Sequence, residues 1–143
     1  MASNMSPAQT FPHSRSITLR WKDNDIYGHV NNVEYYSFFD TVINEFLITE
    51  GGLDIHHGEA IGLCAESHCS FKASIEFPAT VEARLGIAKL GNSSVRYAIK
   101  LLDAADGREL AEGWFVHVFV DRVGRRPSAI PTSVRTALER LLG

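Results

Sequence analysis

One stretch of the chain has a helical period of apolar residues, and alternating segments lie on either side of it. The apolar positions recur at i, i+3, i+4 and i+7, and they are Tyr35, Tyr36, Phe39, Val42, Ile43, Phe46 and Leu47. Val33 and Phe38 widen this stripe. So wide a stripe predicts a long helix that other elements largely enclose.

The residues at both ends of this stretch are typical of helix boundaries. Asn31 is a good N-cap, and Glu34 follows three positions later, where a capping box places its acid. Gly51 and Gly52 supply the stop. If Asn31 is the cap, the first amides of the helix lack an intrahelical partner at the positive end of the dipole. They could hold a negative oxygen.

Five other segments alternate with a period of two, which predicts β-strands. They cover residues 15–22, 61–77, 81–87, 95–101 and 110–120. The second is expected to be one long strand that Pro78 ends. The last is apolar on both faces, so we expect a central strand that is covered on each side. Pro131 then begins a short helix.

The order of elements is strand, long helix, four strands and short helix, which predicts an α+β fold with one sheet around one helix. Because no repeat or linker divides the chain, residues 14–143 are expected to form one domain. Residues 1–13, rich in Ser, Pro and Ala, are expected to be a flexible tail. A second copy of the chain is the economical cover for the other face of the sheet.

Composition excludes several functional classes. The chain has 143 residues, of which 45% are apolar and 22% charged, as expected for a globular domain. Its net charge of -3 gives no basic footprint for nucleic acid. No apolar run is long enough to cross a membrane, and the N-terminus lacks a signal-peptide pattern. Cys64 and Cys69 have no metal or redox spacing, so we expect a cytoplasmic protein with reduced thiols.

Polar side chains are concentrated in the turn before the long helix. Runs such as Asp23-Asn24-Asp25 most often bond their own backbone in a turn. A calcium loop is the first alternative, because acids and a glycine occupy EF-hand positions 1, 3, 6 and 12. Tyr27 removes an expected ligand, and the preceding segment alternates like a strand. We therefore expect no metal here or elsewhere.

The turn and helix carry a family resemblance. The motif reads Asp23-x-Asp25-x-x-Gly28-His29-Val30-Asn31-Asn32-x-x-Tyr35. Together with Pro78, the loop at 90–94 and Ile130-Pro131, it resembles the hotdog-fold acyl-CoA thioesterases of the 4-hydroxybenzoyl-CoA thioesterase type. The resemblance implies a five-stranded antiparallel sheet wrapped around the long helix, in homodimers or homotetramers. It implies hydrolysis of an acyl-CoA or acyl-carrier thioester, without a cofactor apart from the CoA of the substrate.

The resemblance also implies roles for individual residues. Asp25 matches the catalytic carboxylate, which acts as nucleophile or as base for water. The amide of Asn32 matches the oxyanion donor, and His29 lies beside the thioester. The pantetheine arm is expected to run along Lys89, Asn92, Ser93 and Ser94. On the helix, Tyr35 is a candidate for the acyl pocket, although core packing explains it equally well. The loop lacks the arginines with which some relatives pair the CoA phosphates, and Arg125 and Arg126 are substitutes by location only.

A different functional class stays open at this point. The chain could be a non-catalytic dimeric module that binds an acyl group or a partner protein, and its turn would then be structural. A hotdog hydratase is disfavoured, since those enzymes use another Asp–His arrangement. The acyl group, the carrier and the choice between dimer and tetramer are not readable from the residues.

Overall fold

The computed structural model of the chain describes residues 9–142. Its elements are β1 (His13–Thr18), a 3-10 turn (Trp21–Asp23), α1 (Asn32–Thr49), β2 (Ala60–Phe71), β3 (Thr80–Leu90), β4 (Ser94–Asp103), β5 (Glu109–Asp121) and α2 (Thr132–Glu139). The predicted order of one strand, a long helix, four strands and a short helix is confirmed.

All five strands form one antiparallel sheet in the order β1-β3-β4-β5-β2. The central position of β5 was expected from its apolar sequence. Within the described residues, the outer edges of β1 and β2 have no strand partner. The sheet curves around α1, which confirms the predicted α+β architecture.

The core lies between α1 and the inner face of the sheet. Four helix residues are completely enclosed there, namely Phe39, Val42, Ile43 and Leu47. Gly113 of β5 allows this close approach, since a Cβ on it would lie 2.7 Å from the ring of Phe39. Helix α2 adds Val134, Ala137 and Leu138 to the same core.

The predicted apolar stripe of α1 is correct for its inner positions and wrong at its margins. Tyr36 is 37% exposed and Val33 is 69% exposed, although both were expected to be covered. The ring of Tyr36 reaches the edge of the sheet, 6.5 Å from that of Phe71. The helix flank beside β2 is therefore an exposed apolar surface.

The boundaries of α1 confirm the predicted cap and stop, but not the capping box. Asn31 Oδ1 accepts the Val33 N–H at 3.0 Å. Glu34 does not return to the Asn31 N–H, which donates instead to the Asp23 carbonyl at 2.9 Å. The Glu34 carboxylate lies 3.8 Å from the Arg20 guanidinium. No helix within residues 9–142 has the length and apolar character needed to cross a membrane.

The predicted long strand over residues 61–77 is wrong in its extent and its phase. Strand β2 ends at Phe71, and the following residues are irregular although their sequence still alternates. A bulge shifts the register between Cys64 and Glu66. Gly62 and Cys64 therefore pair with inward-facing residues of β5, and the predicted row of odd positions does not share one face.

The predicted tail at 1–13 falls partly outside the described residues, which begin at Gln9. Gln9 Nε2 donates to the Ile87 carbonyl at 3.1 Å, and Lys100 Nζ lies 5.0 Å from the centre of the Phe11 ring. His13 already pairs with Leu85 in the sheet. Residues 9–13 thus pack on the domain. Strand β1 also begins earlier and ends earlier than the predicted 15–22.

The outer face of the sheet, for which the sequence predicted a second copy of the chain as cover, carries apolar side chains of β5. On β5, Trp114, Val116 and Val118 are half-buried. The Arg96 guanidinium lies 4.1 Å over the Trp114 ring, and the His68 ring stacks on Trp114 at 5.4 Å. Long polar side chains from neighbouring strands thus cover part of this face.

Candidate active site

A five-residue loop carries the acid of the motif. The Asp25 N–H donates to the His29 carbonyl at 2.9 Å, and the Gly28 N–H donates back to the Asp25 carbonyl at 3.1 Å. Gly28 has a φ of +84, which an L side chain rarely adopts, so the glycine permits this closure. The loop is therefore held in shape by its own backbone.

The irregular segment after β2 anchors this loop. Asn24 Oδ1 accepts the Phe77 N–H at 3.1 Å, and the Val30 N–H donates to the Ile75 carbonyl at 2.9 Å. The Leu19 N–H donates to the Ala79 carbonyl at 3.0 Å. Residues that the sequence pattern assigned to the end of a strand therefore support the candidate site instead.

The Asp25 carboxylate is partly buried and only partly satisfied. Oδ1 accepts the Tyr27 N–H at 2.8 Å, which is the Asx turn expected of such a run. The other oxygen accepts no hydrogen bond from residues 9–142. Asp25 lines an open cavity of about 860 Å³, together with Trp21, Tyr27 and Asn31. One oxygen of this acid is thus available to a ligand.

The first amide of α1 is also available. The Val33 N–H is taken by the Asn31 side chain, and the Glu34 N–H donates to the Asn31 carbonyl at 2.9 Å. The N–H of Asn32 has no acceptor within residues 9–142. It lies at the positive end of an 18-residue helix, where an anion is favoured.

His29 lies on the other side of the loop. Its side chain is exposed and lines a separate cavity of about 710 Å³, with Glu76, Thr80, Asp103 and Arg108. The backbones of Asp25 and His29 are bonded, but their side chains do not line the same cavity. The structure of one chain therefore gives the two residues no shared ligand.

Tyr35 lies behind the loop as a core residue. Its hydroxyl donates to the Ala73 carbonyl at 3.4 Å, and its ring is 5.1 Å from that of Phe71. Burial raises the pKa of the Tyr35 phenol above its usual value. Its role in substrate binding stays a prediction.

Lys89, Asn92, Ser93 and Ser94 lie at the opposite end of the sheet. Strand β3 begins beside the His29 cavity at Thr80 and ends at Leu90. Eleven residues of strand span about 35 Å at roughly 3.3 Å each. One chain therefore does not bring these residues to Asp25. Both carbonyls at the tip, of Asn92 and Ser93, accept backbone N–H groups of their own chain.

Sequence reasoning missed a cationic pair at this end. A bulge between Ile87 and Lys89 places Lys89 directly opposite Arg96 on β4, and both side chains are exposed. Like charges facing each other across strands are destabilising. Alternation placed Arg96 on the polar side of its strand, but it gave no register, so the pairing had no sequence signal.

Comparisons with known proteins identify the family of this chain. A family model described as the thioesterase-like superfamily matches residues 19–138. The chain belongs to that superfamily. No curated protein matches it. The match includes the Asp25 loop and the whole of α1, which are the parts that suggested the resemblance. This protein is therefore a thioester hydrolase.

Solved structures of similar chains have the same fold. The PA5185 protein from Pseudomonas aeruginosa is 52% identical, with a TM-score of 0.89 and 92% of each chain covered. BH1999, a gentisyl-coenzyme A thioesterase, is 26% identical with a TM-score of 0.77, and 88% of this chain and 99% of that chain are covered. SAV2348 from Staphylococcus aureus, solved in complex with CoA, has a TM-score of 0.84 at 19% identity, with 98% of this chain and 88% of that chain covered.

These likenesses confirm the hotdog fold expected for this thioesterase. The strand that precedes the Asp25 loop is incompatible with an EF-hand, which needs a helix there. Among residues 9–142, no group of three or more His, Cys, Asp or Glu side chains is placed to hold a metal ion.

Proposed function

We propose that this thioesterase hydrolyses an acyl-CoA or acyl-carrier thioester at the Asp25 loop. Asp25 acts as nucleophile or general base, and the Asn32 N–H receives the oxyanion. The proposal is supported by two groups at the ends of one short loop, a half-satisfied Asp25 carboxylate and an Asn32 N–H that has no acceptor in the described chain. Asn31, which directly precedes that amide, lines the Asp25 cavity. Acyl transfer needs these two groups, an activated oxygen and a donor for the developing charge.

In the general-base route, Asp25 removes a proton from water, and the water oxygen attacks the thioester carbonyl carbon. The carbonyl oxygen becomes negative and accepts a hydrogen bond from the Asn32 N–H. Collapse breaks the C–S bond, and the proton on Asp25 passes to the leaving thiolate. In the nucleophilic route, Asp25 itself attacks, the thiolate leaves, and water then hydrolyses the mixed anhydride.

His29 has a smaller role in this proposal. Its side chain lines another cavity, so it neither activates nor orients the Asp25 carboxylate within one chain. It can contact a substrate that extends across the loop. Tyr35 donates to the Ala73 carbonyl, in the segment after β2, and we propose that its ring forms part of the acyl pocket.

A dimer formed along β2 completes the proposed substrate site. The free edge of β2 exposes Leu63 and Phe71, each at 39%, beside the exposed Tyr36 and Val33 of α1. An open edge flanked by apolar side chains favours pairing with another strand. Antiparallel pairing of two β2 edges places the Asp25 loop of one chain at the same end of the joined sheet as the 91–93 turn of its partner.

Lys89 and Arg96 are the residues we propose for the phosphates of the carrier. Because Lys89 lies opposite Arg96 across β3 and β4 and both side chains are exposed, a phosphate at this position can contact both cations. Asn92, Ser93 and Ser94 continue the same surface towards the turn. This assignment applies to CoA and to the phosphopantetheine of a carrier protein, since both are anionic.

Thiol release from a panel of acyl-CoA thioesters tests the proposal. The panel contains short, long and aromatic acyl groups, because BH1999 is named a gentisyl-coenzyme A thioesterase. Asp25→Asn should lower kcat by a factor of about 100 or more, which is the size of effect expected when a catalytic group is lost. His29→Ala should cost less.

Asp106→Asn is a matched control for Asp25→Asn. Asp106 is also a loop acid that accepts a backbone N–H two residues ahead at 2.8 Å, in the turn between β4 and β5. It should keep the wild-type rate. Unchanged turnover in a folded Asp25→Asn variant contradicts the proposal. Absence of thiol release from the whole panel favours the alternative, a non-catalytic acyl-binding or protein-interaction module.

A further inference from the structure

Asp23 is an acid that the proposed reaction does not use, and it is almost completely buried. Its exposure is 1%, whereas a carboxylate is rarely enclosed unless it is paired. It lies in the 3-10 turn, two residues before Asp25. Because burial of an acid costs free energy unless hydrogen bonds replace water, its contacts indicate what it holds.

These contacts join the entrance of the loop to the start of α1. Asp23 Oδ2 accepts the Arg20 N–H at 2.7 Å, and Oδ1 accepts the Arg20 guanidinium at 2.9 Å. The Asp23 carbonyl accepts the Asn31 N–H at 2.9 Å. One residue therefore fixes both the backbone that enters the loop and the residue that caps the helix.

The Asn31 contact determines the direction of the next peptide group. Asn31 is held through its N–H by Asp23 and through its side chain by the Val33 N–H. Its φ of -62 and ψ of 137 place the following N–H, that of Asn32, at the helix entrance. A displacement of Asp23 therefore moves Asn31, and Asn31 directly precedes the Asn32 amide.

We propose that Asp23 is a positioning residue for the Asn32 amide. Its buried contacts keep Asn31 in place, so that the Asn32 N–H points towards the substrate that Asp25 attacks. The inference rests on the proposed function for the role of Asn32 as oxyanion donor. The positioning itself does not depend on that role and can be measured without a substrate.

The hydrogen bond from the Arg20 N–H to the Asp23 carboxylate matters more for this role than the ion pair with the Arg20 side chain. The Arg20 side chain is 55% exposed, and ion pairs to exposed groups contribute little. Arg20→Gln removes the guanidinium and leaves the Arg20 N–H bonded to Asp23. In Asp23→Asn, an NH₂ group replaces one carboxylate oxygen. It faces the Arg20 N–H in one orientation and the Arg20 guanidinium in the other, so one donor meets another in both.

Asp23→Asn should lower kcat about 10- to 100-fold with KM changed less than about 2-fold, because displacement of a catalytic donor by about 1 Å costs this much. Arg20→Gln should lower kcat by less than about 3-fold. In ¹⁵N-labelled protein without substrate, the Asn32 amide resonance should move in Asp23→Asn and stay in place in Arg20→Gln. If Asp23→Asn does not fold, Asp23→Ser should show the same pattern with a smaller loss of kcat.

Ile43→Val in the middle of α1 controls for lost stability, because it removes one buried methylene group from the core. It should leave kcat and the Asn32 resonance unchanged. The proposal is overturned if Asp23→Asn leaves that resonance in place, if KM rises at constant kcat, or if Arg20→Gln matches Asp23→Asn. A wild-type protein without activity would refute the proposed function, whereas the resonance would still decide whether Asp23 positions Asn32.

Discussion

Acid should destabilise this thioesterase through one buried imidazole, that of His117 on β5. The side chain is 2% exposed, and its Nδ1 lies 3.0 Å from the Tyr97 hydroxyl. Its other neighbours include the Phe115 and Phe119 rings and, on the adjacent strands, Gly62, Cys64 and Val95. No carboxylate is among these neighbours, and burial lowers the pKa of His117 from 6.5 to about 4.

The direction and size of the effect follow from this pKa. Above pH 6.5 the imidazole is neutral in both the folded and the unfolded chain, so it adds no pH dependence. Between pH 6.5 and about 4 the unfolded chain binds a proton that the folded chain does not bind, so acid favours unfolding. At 1.36 kcal/mol per pKa unit, this difference removes about 3 kcal/mol of stability.

Urea unfolding at several pH values between 7 and 4 measures this loss. His117→Gln keeps an acceptor for the Tyr97 hydroxyl but does not titrate. The free energy of unfolding of the wild type should therefore fall relative to the variant by about 3 kcal/mol over this range. His56→Gln, at an exposed position, should follow the wild type. Parallel curves for wild type and His117→Gln would refute the reasoning, as would a His117 NMR titration centred near pH 6.5.

Two other variants test the remaining parts of the proposal. Lys89→Ala with Arg96→Ala should raise KM for acyl-CoA about 10-fold without lowering kcat, and the wild-type KM should rise with salt, as expected for charge-assisted contacts. Arg84→Ala, which removes a cation already paired with an acid on the same face, should change neither; equal effects would contradict the assignment. Leu63→Glu on the edge of β2 should give a monomer by light scattering with little activity, and an active monomer would exclude the proposed dimer.

The parts of the fold that the sequence predicted depend on residues close together in the chain. The spacing of Phe39, Val42, Ile43 and Phe46 defines a buried helix face without reference to the sheet. The Asn31 cap bonds an amide two residues away. The candidate loop was predictable for the same reason, since only six residues lie between Asp25 and Asn32, and they contain one turn and one cap.

The features that the sequence did not predict depend on the register between strands. The alternation over residues 61–77 continues through a bulge and past the end of β2, because polar and apolar residues also alternate in the segment that anchors the loop. The facing of Lys89 and Arg96 follows from a second bulge. The placement of Asp25 and His29 at different cavities is likewise a property of the folded loop and not of their spacing.

The separation of the two halves of the proposed site within one chain leads to a test by complementation. Suppose that each site takes its Asp25 loop from one chain and its Lys89–Arg96 surface from the other. A mixed dimer then pairs an Asp25→Asn chain with a chain that carries both Lys89→Ala and Arg96→Ala. One of its two sites has the acid and both cations, and the other site has neither. Random exchange of equal amounts makes half of the dimers mixed, so about a quarter of the sites should be intact. Activity at low substrate should then rise to about a quarter of the wild-type rate, above that of either variant alone. If both halves of a site came from the same chain, every mixed dimer would hold one chain without the acid and one without the cations. Mixing would then give only the average of the two parent rates.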